Sequence, residues 1–229
     1  NTPGFRFVYP MTLGSDHAGD NFFQWPIDKG KDLSLGRNYR DAASIFAYRC
    51  DQDFFGSYDE QAEYGVVACA NRRQVPGKKA WTWGNGGYGL SHQADLTDSD
   101  GPYSEVQTGP LPTQADVGRL DPGEDVAWRE YWYPVRNLGG FTFANRDLAV
   151  NAEREDGRLR LRLLGTGTWQ GCGVEVLKEG RLLAQAPCEI GPTRPADLSL
   201  DLAGQAEPLR VRVSAGAKAL AEFRFPLDL

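Results

Sequence analysis

The stretch VPGKKAWTWGNGGYGLSHQADLTDSDGPYSEVQTG, Val75 to Gly109, holds two of the six tryptophans, one of the two histidines and a central carboxylate. In its first part Lys79, Trp81, Trp83 and Asn85 alternate with smaller residues, so a strand here places these four side chains on one face. The glycines and Tyr88 that follow read as a loop passing close to a ligand or another backbone. LTDSDGP reads as a turn, in which Asp and Ser bond their own backbone and Gly supplies positive φ. Tyr103, Glu105 and Gln107 then alternate onto one face of a second strand, with Ser104, Val106 and Thr108 on the other. Val106 is the only strongly apolar member of that second set, so neither face reads as ordinary core. Both strands present rings beside polar groups. Flat rings suit pyranose faces, and amides and carboxylates suit hydroxyls. The plainer reading is that the aromatics pack a sheet and Glu105 is a rim carboxylate paired with a basic residue. Interleaving of Lys79, Asn85, Glu105 and Gln107 with the rings favours a site.

Working outward, FRFVY near the start reads as a strand with Phe5, Phe7 and Tyr9 on one face. Residues 11–44 show no sustained period and read as a long loop, which is commonly functional in a compact domain; it carries His17 and Trp25. SIFAYRC, FFGSYD and GVVACANR read as successive strands, rich in aromatic and β-branched residues. AWREYWYPVRN reads as a strand ending at Pro134. No segment before residue 150 has a helical pattern. Beyond Asn151 the aromatics thin out, and RLRLRLL, GVEVLKE, RLLAQA, DLSLDL, LRVRVS and LAEFRF alternate with period 2. Six or seven strands in about 80 residues is the pattern of a small immunoglobulin-like β-sandwich. The expectation is an all-β chain with a site-bearing domain over residues 1–152 and a plain sandwich over 153–229.

The charge balance excludes some functions. With 25 Lys plus Arg against 31 Asp plus Glu, the net charge is −6, which lacks the basic face that a nucleic-acid binder needs. No apolar run approaches the roughly 20 residues that span a bilayer, and no signal peptide is visible. Cys50, Cys69, Cys172 and Cys188 form no C-x-x-C, and with only His17 and His92 beside them no metal site is expected. No cofactor motif occurs. Cys172 and Cys188 flank the turn Glu179-Gly180 almost symmetrically, which allows either a cross-strand disulfide or two buried thiols.

The segments PIDKGKDLS, SIFAY, FFGSYD, VPGKKAWTWGN, LTDSDGPYSEVQTGP, TQAD, EYWYPVRNLGGF and ANRDLAVN, in this order, resemble an uncharacterised bacterial domain family. That family belongs to the galactose-mutarotase-like group and is commonly joined to tetratricopeptide repeats. The resemblance covers nearly all of residues 1–153. It implies an antiparallel β-supersandwich and a carbohydrate ligand, but no established reaction. It also implies a long N-terminal half before Asn1, so that the partners would be carbohydrate, that missing half and tetratricopeptide repeats. A half-sandwich on its own should expose an apolar aromatic patch and dimerise. In aldose epimerases of this fold the general base is a Glu in an E-x-Q segment near the end of the domain, which Glu105-Val106-Gln107 resembles. Their histidine acid comes from earlier in the fold, and His17 does not match it.

The functional expectation is therefore a carbohydrate site in which Glu105 is the catalytic acid or base of glycoside processing or sugar epimerisation. Trp81, Trp83 and Tyr103 would stack sugar, while Lys79, Asn85 and Gln107 would bind hydroxyls. Hydrolysis calls for a second carboxylate about 5–10 Å away; Asp98, Asp100 and Asp116 are the candidates, each also readable as a turn residue. The alternative is a non-catalytic sugar-recognition or scaffold module on the same fold.

Overall fold

A computed structural model describes residues 2–48, 50–99 and 101–228. The chain is nearly all β. The first eleven strands are β1 (Phe5–Val8), β2 (Leu13–Ser15), β3 (Phe22–Gln24), β4 (Ile27–Asp28), β5 (Lys31–Asp32), β6 (Ala43–Tyr48), β7 (Phe54–Asp59), β8 (Tyr64–Ala70), β9 (Lys79–Thr82), β10 (Ser104–Gln107) and β11 (Glu130–Arg136). The helix α1 (Gly87–Leu96) lies between β9 and β10. Eight more strands follow: β12 (Phe143–Ala144), β13 (Leu148–Glu155), β14 (Arg158–Gly165), β15 (Trp169–Lys178), β16 (Arg181–Ile190), β17 (Ala196–Asp201), β18 (Leu209–Ala215) and β19 (Lys218–Phe225).

Two compact units result. The first comprises residues up to Ala62 together with Ala68–Trp132; the second comprises Glu63–Val67 and Tyr133–Asp228. The division passes inside β8 and β11. The compositional boundary at 152/153 cuts β13 in two, whereas that whole strand pairs with β14, from Leu148 opposite Gly165 to Glu155 opposite Arg158.

In the first unit a five-stranded antiparallel sheet runs in the order β10-β9-β6-β2-β3. Residues directly opposite each other in such ladders share a face. Val106, Ala80 and Ile45 are aligned on one side, as are Ala47, Gly14 and Phe23. All but Gly14 join a core with Phe5, Phe7, Tyr9, Trp25 and Phe55. The Val106 face of β10 is therefore core, contrary to the expectation from the strand alone; the apolar partners come from strands distant in sequence. Gly14 is required by space, because a Cβ there would lie 2.3 Å from the Phe23 ring.

Residues 11–44 are not structureless. They form the β2–β3 and β4–β5 pairs, with strands too short for a period to register. Trp25 is buried and its indole N–H donates to the Tyr9 carbonyl at 3.1 Å. Likewise β11 runs through Pro134 to Arg136. It is the last strand in the order β1-β7-β8-β11, and an edge strand tolerates a residue without an N–H.

The second unit is a β-sandwich of two four-stranded sheets, β12-β13-β14-β17 and β16-β15-β18-β19. RLRLRL resolves as expected: Leu159, Leu161 and Leu163 are fully buried against Val174, Val176, Val211 and Val213. Each such side chain contributes roughly 1.5–3 kcal/mol of burial. The intervening arginines face out, Arg160 to Asp197 at 2.7 Å and Arg162 to Glu153 at 2.7 Å. Asp156-Gly157 and Glu179-Gly180 close two-residue hairpins with both φ values positive, the geometry that suits the strand twist. Cys172 and Cys188 are register partners across β15 and β16, with both thiols free. Burial first, and then Cys172, push the Cys188 thiol up to about 11.

Candidate functional site

The face of the β10-β9-β6-β2-β3 sheet opposite the core carries the chemistry. Two rows cross it. In one, Glu105 stands opposite Trp81, and Trp81 opposite Ser44. In the next, Gln107, Lys79, Phe46, Ser15 and Phe22 are aligned across all five strands. The rows exist because each strand offers a polar or aromatic residue at every second position while the intervening residues fill the core.

Glu105 is half-buried, and its Oε2 accepts a hydrogen bond from the Gln107 amide. Lys79 is 9% exposed. Its ammonium lies 5.5 Å from the ring centroids of both Phe46 and Trp81 and donates to Gln114 Oε1 at 3.1 Å. Burial lowers the Lys79 pKa, and the Glu105 charge acts against that shift. Tyr103, just before β10, has its phenol pKa raised by burial and then by the Glu105 charge. Lys79, Gln107 and Gln114 border a concavity of about 340 Å³.

Trp83 and Asn85 lie beyond the end of β9 at Thr82, so the four-residue alternation does not continue as a strand. Trp83 still meets Trp81 edge to face, with centroids 5.4 Å apart. Asn85 is tied to the protein: its amide donates to the carbonyls of Gly36 and Tyr39, each at 2.9 Å, so both of its N–H donors are spent there. The glycine-rich segment is not a loop but α1. Its His92 stacks on Trp83 at 4.8 Å and 12°, and Tyr88 lies 4.4 Å from His92. His92 Nδ1 is 2.9 Å from the Tyr88 carbonyl; a carbonyl only accepts, so Nδ1 carries the proton.

His17, Ser44, Phe46 and Gln114 join the site without having been singled out by sequence for it. His17 Nδ1 lies 3.0 Å from Ser44 Oγ, and its ring meets Phe46 edge to face at 6.4 Å. The histidine read as a lone loop residue is thus fixed at the margin of the Glu105–Trp81–Ser44 row. Of the carboxylates considered as partners for Glu105, Asp98 is exposed after α1. Asp116 caps its own loop, accepting from Thr113 N and Oγ1 at 2.7 and 2.8 Å. Asp100 lies outside the described residues. Among the described residues no group of three His, Cys, Asp or Glu is placed to hold a metal ion, and no helix is long and apolar enough to cross a membrane.

A larger concavity of about 850 Å³ lies on the second unit and borders Arg210, Arg212, Glu222 and Arg224. Its charges satisfy one another: Arg210–Glu222 at 2.6 Å, Arg212–Glu222 at 3.1 Å and Arg212–Glu175 at 3.3 Å. It is a solvated sheet face with no unspent chemistry, so the first unit holds the candidate site.

Fold and site together define an all-β protein with a half-buried carboxylate, a buried ammonium and an aromatic cluster on one sheet face. The chain belongs to the family described as "Domain of unknown function (DUF5107)", whose model matches residues 2–135. Residues 143–223 match the model described as "YphG-like protein, second domain". A solved structure of a TPR-domain containing protein from Parabacteroides distasonis ATCC 8503 is 26% identical, with a TM-score of 0.49. That match covers 58% of this chain and 23% of the other, so the chain spans less than a quarter of that protein's length.

Proposed function

We propose that the Glu105–Trp81 face of the β10-β9-β6-β2-β3 sheet binds carbohydrate, with Glu105 as the acid/base group of glycoside processing or sugar epimerisation. In this reading the first unit is the C-terminal part of a galactose-mutarotase-like supersandwich, within a larger protein that carries tetratricopeptide repeats. The observation that supports it most is the register of Glu105 against Trp81 with Lys79 alongside. Sheet packing explains a buried tryptophan; it does not call for a half-buried carboxylate and an ammonium on the same face. Trp81 and Trp83, set edge to face, offer two ring planes for a pyranose, and Lys79 and Gln107 supply donors for its hydroxyls. His17 is a further titratable group at the margin of this face. Its partner Ser44 is two strand spacings from Glu105, about 10 Å, which leaves room for a sugar ring between a base and an acid.

The test is turnover and binding on a panel of aldoses and oligosaccharides, using the full-length protein. Glu105→Gln should abolish turnover and leave saccharide binding by calorimetry largely intact. Turnover that survives Glu105→Gln refutes its role. Binding by the wild-type protein with no turnover on any substrate replaces the enzyme with a recognition module.

A further inference from the structure

Beyond the concavity beside Lys79 and Gln107, a second one of about 480 Å³ borders Ser15, Phe22, Tyr48, Arg72, Thr113 and Asp116. Thr113 and Asp116 border both, so the two hollows meet at the loop carrying these residues. They also lie along one row of the sheet, because Gln107, Lys79, Phe46, Ser15 and Phe22 are aligned strand by strand. Four strand spacings separate Gln107 from Phe22, roughly 19 Å. That is far longer than one pyranose ring.

The far hollow has the features of a built subsite. Phe22 is 50% exposed, and its ring stands edge to face with Tyr48 at 4.8 Å. An aromatic held upright at the surface by a second ring forms a platform. Ser15 is 1% exposed, borders the hollow, and its hydroxyl has no hydrogen-bond partner in the protein. A buried hydroxyl left unpaired costs free energy that an incoming hydroxyl would recover. The Arg72 guanidinium is half-buried at the rim, held by Asp53 at 3.2 Å, which leaves further N–H donors for a ligand.

Resting on the carbohydrate reading, we infer that the natural ligand is an oligosaccharide chain that runs from Glu105 and Trp81 past the loop carrying Thr113 and Asp116, through the two hollows that this loop borders, to a distal unit on Phe22. A free monosaccharide would leave Phe22 and the Ser15 hydroxyl without a role.

The experiment uses a glycan array carrying glucan, galactan, mannan and xylan oligosaccharides of one to six residues. Calorimetry then follows on the chain-length series of the tightest binder. Affinity should rise about tenfold or more from one residue to four. Phe22→Ala should weaken the tetrasaccharide about fivefold and leave the monosaccharide unchanged. Because Phe22 is half-exposed, this variant keeps the fold, and an unaltered melting temperature checks that. Ser15→Ala tests the same end through the hydroxyl and should weaken only the longer ligands. Length-independent binding, with Phe22→Ala silent throughout, overturns the extended groove and leaves the single-ring site standing. Binding of no saccharide on the array overturns both readings.

Discussion

Glu105 lies directly across the β9–β10 ladder from Trp81, two residue pairs along from Gln107 opposite Lys79 and on the same face. Opposed pairs of this kind place side chains about 5 Å apart at Cβ. Any ring seated on Trp81 is thereby brought within reach of the carboxylate. Trp81 is half-buried, so part of its indole is free for ligand contact. Trp81→Ala should weaken saccharide binding about tenfold, with Trp81→Phe recovering much of it. Calorimetry on both variants checks this; an unchanged affinity in Trp81→Ala would remove Trp81 from the site.

The floor of the hollow beside Lys79 depends on a close backbone approach at Gly77, which borders it. Gly77 N donates to the Gly109 carbonyl at 3.0 Å. A Cβ on Gly77 would lie 2.1 Å from the Leu111 carbonyl oxygen and 3.1 Å from that of Gly109. Backbone has to move, and the segment that moves borders the hollow. Gly77→Ala should cost about 1–3 kcal/mol in chemical denaturation and lower saccharide affinity as well. Neutral stability would mean that the two segments do not pack this closely.

Lys78, next to the site lysine, points into the other side of the sheet. It is 1% exposed, and its ammonium meets no oxygen acceptor, only the Cys50 thiol. Burial lowers its pKa; Cys50 and Asp53 oppose the shift and Arg72 adds to it. Between the folded value and the unfolded value of about 10.4, the unfolded chain binds the extra proton. Stability therefore rises with pH through that alkaline window, and the penalty is fully present below it. Lys78→Met should stabilise the protein by about 1–2 kcal/mol at neutral pH and flatten that rise. Urea titrations at pH 7 and 10 read both effects; a destabilised variant would show the amine to be well solvated or paired.

The legible parts of this chain were those whose partners lie nearby in sequence. The RLRLRL alternation placed Leu159, Leu161 and Leu163 in a core because period 2 is a local property, and the Asp156-Gly157 turn fixed the register. Two strands were legible on either side of α1, but the first ends at Thr82 and not at Asn85, and the pairing of Glu105 with Trp81 appears only in their register. What stayed hidden was non-local. Ser15, Phe46 and Phe22 form a row with Lys79 only through the register of strands as short as three residues. Val106 is core because of Ala80 and Ile45, which no reading of PYSEVQTG contains. His17 reached the face through a hairpin that shows no period.

The helix α1 was the largest omission, and the same glycines that hid it explain where it sits. Gly87-Tyr88-Gly89 is a poor helix start by intrinsic propensity, since each glycine costs about 1 kcal/mol relative to alanine. Its two glycines have different reasons. A Cβ on Gly87 would meet nothing within 4 Å, whereas a Cβ on Gly89 would lie 2.2 Å from the Gly84 carbonyl oxygen and 2.4 Å from that of Trp83. The helix thus packs its first turn directly on the Trp83–Gly84 backbone, and this approach brings His92 onto the Trp83 ring. The two substitutions should have opposite signs. Gly87→Ala should stabilise by up to about 1 kcal/mol and leave the tryptophan environment as it is. Gly89→Ala should destabilise by about 1–3 kcal/mol in spite of the same propensity gain, change the near-ultraviolet dichroism of the Trp81–Trp83 pair, and weaken saccharide binding. If both variants are stabilised, helix propensity governs this segment and α1 does not hold Trp83 in place.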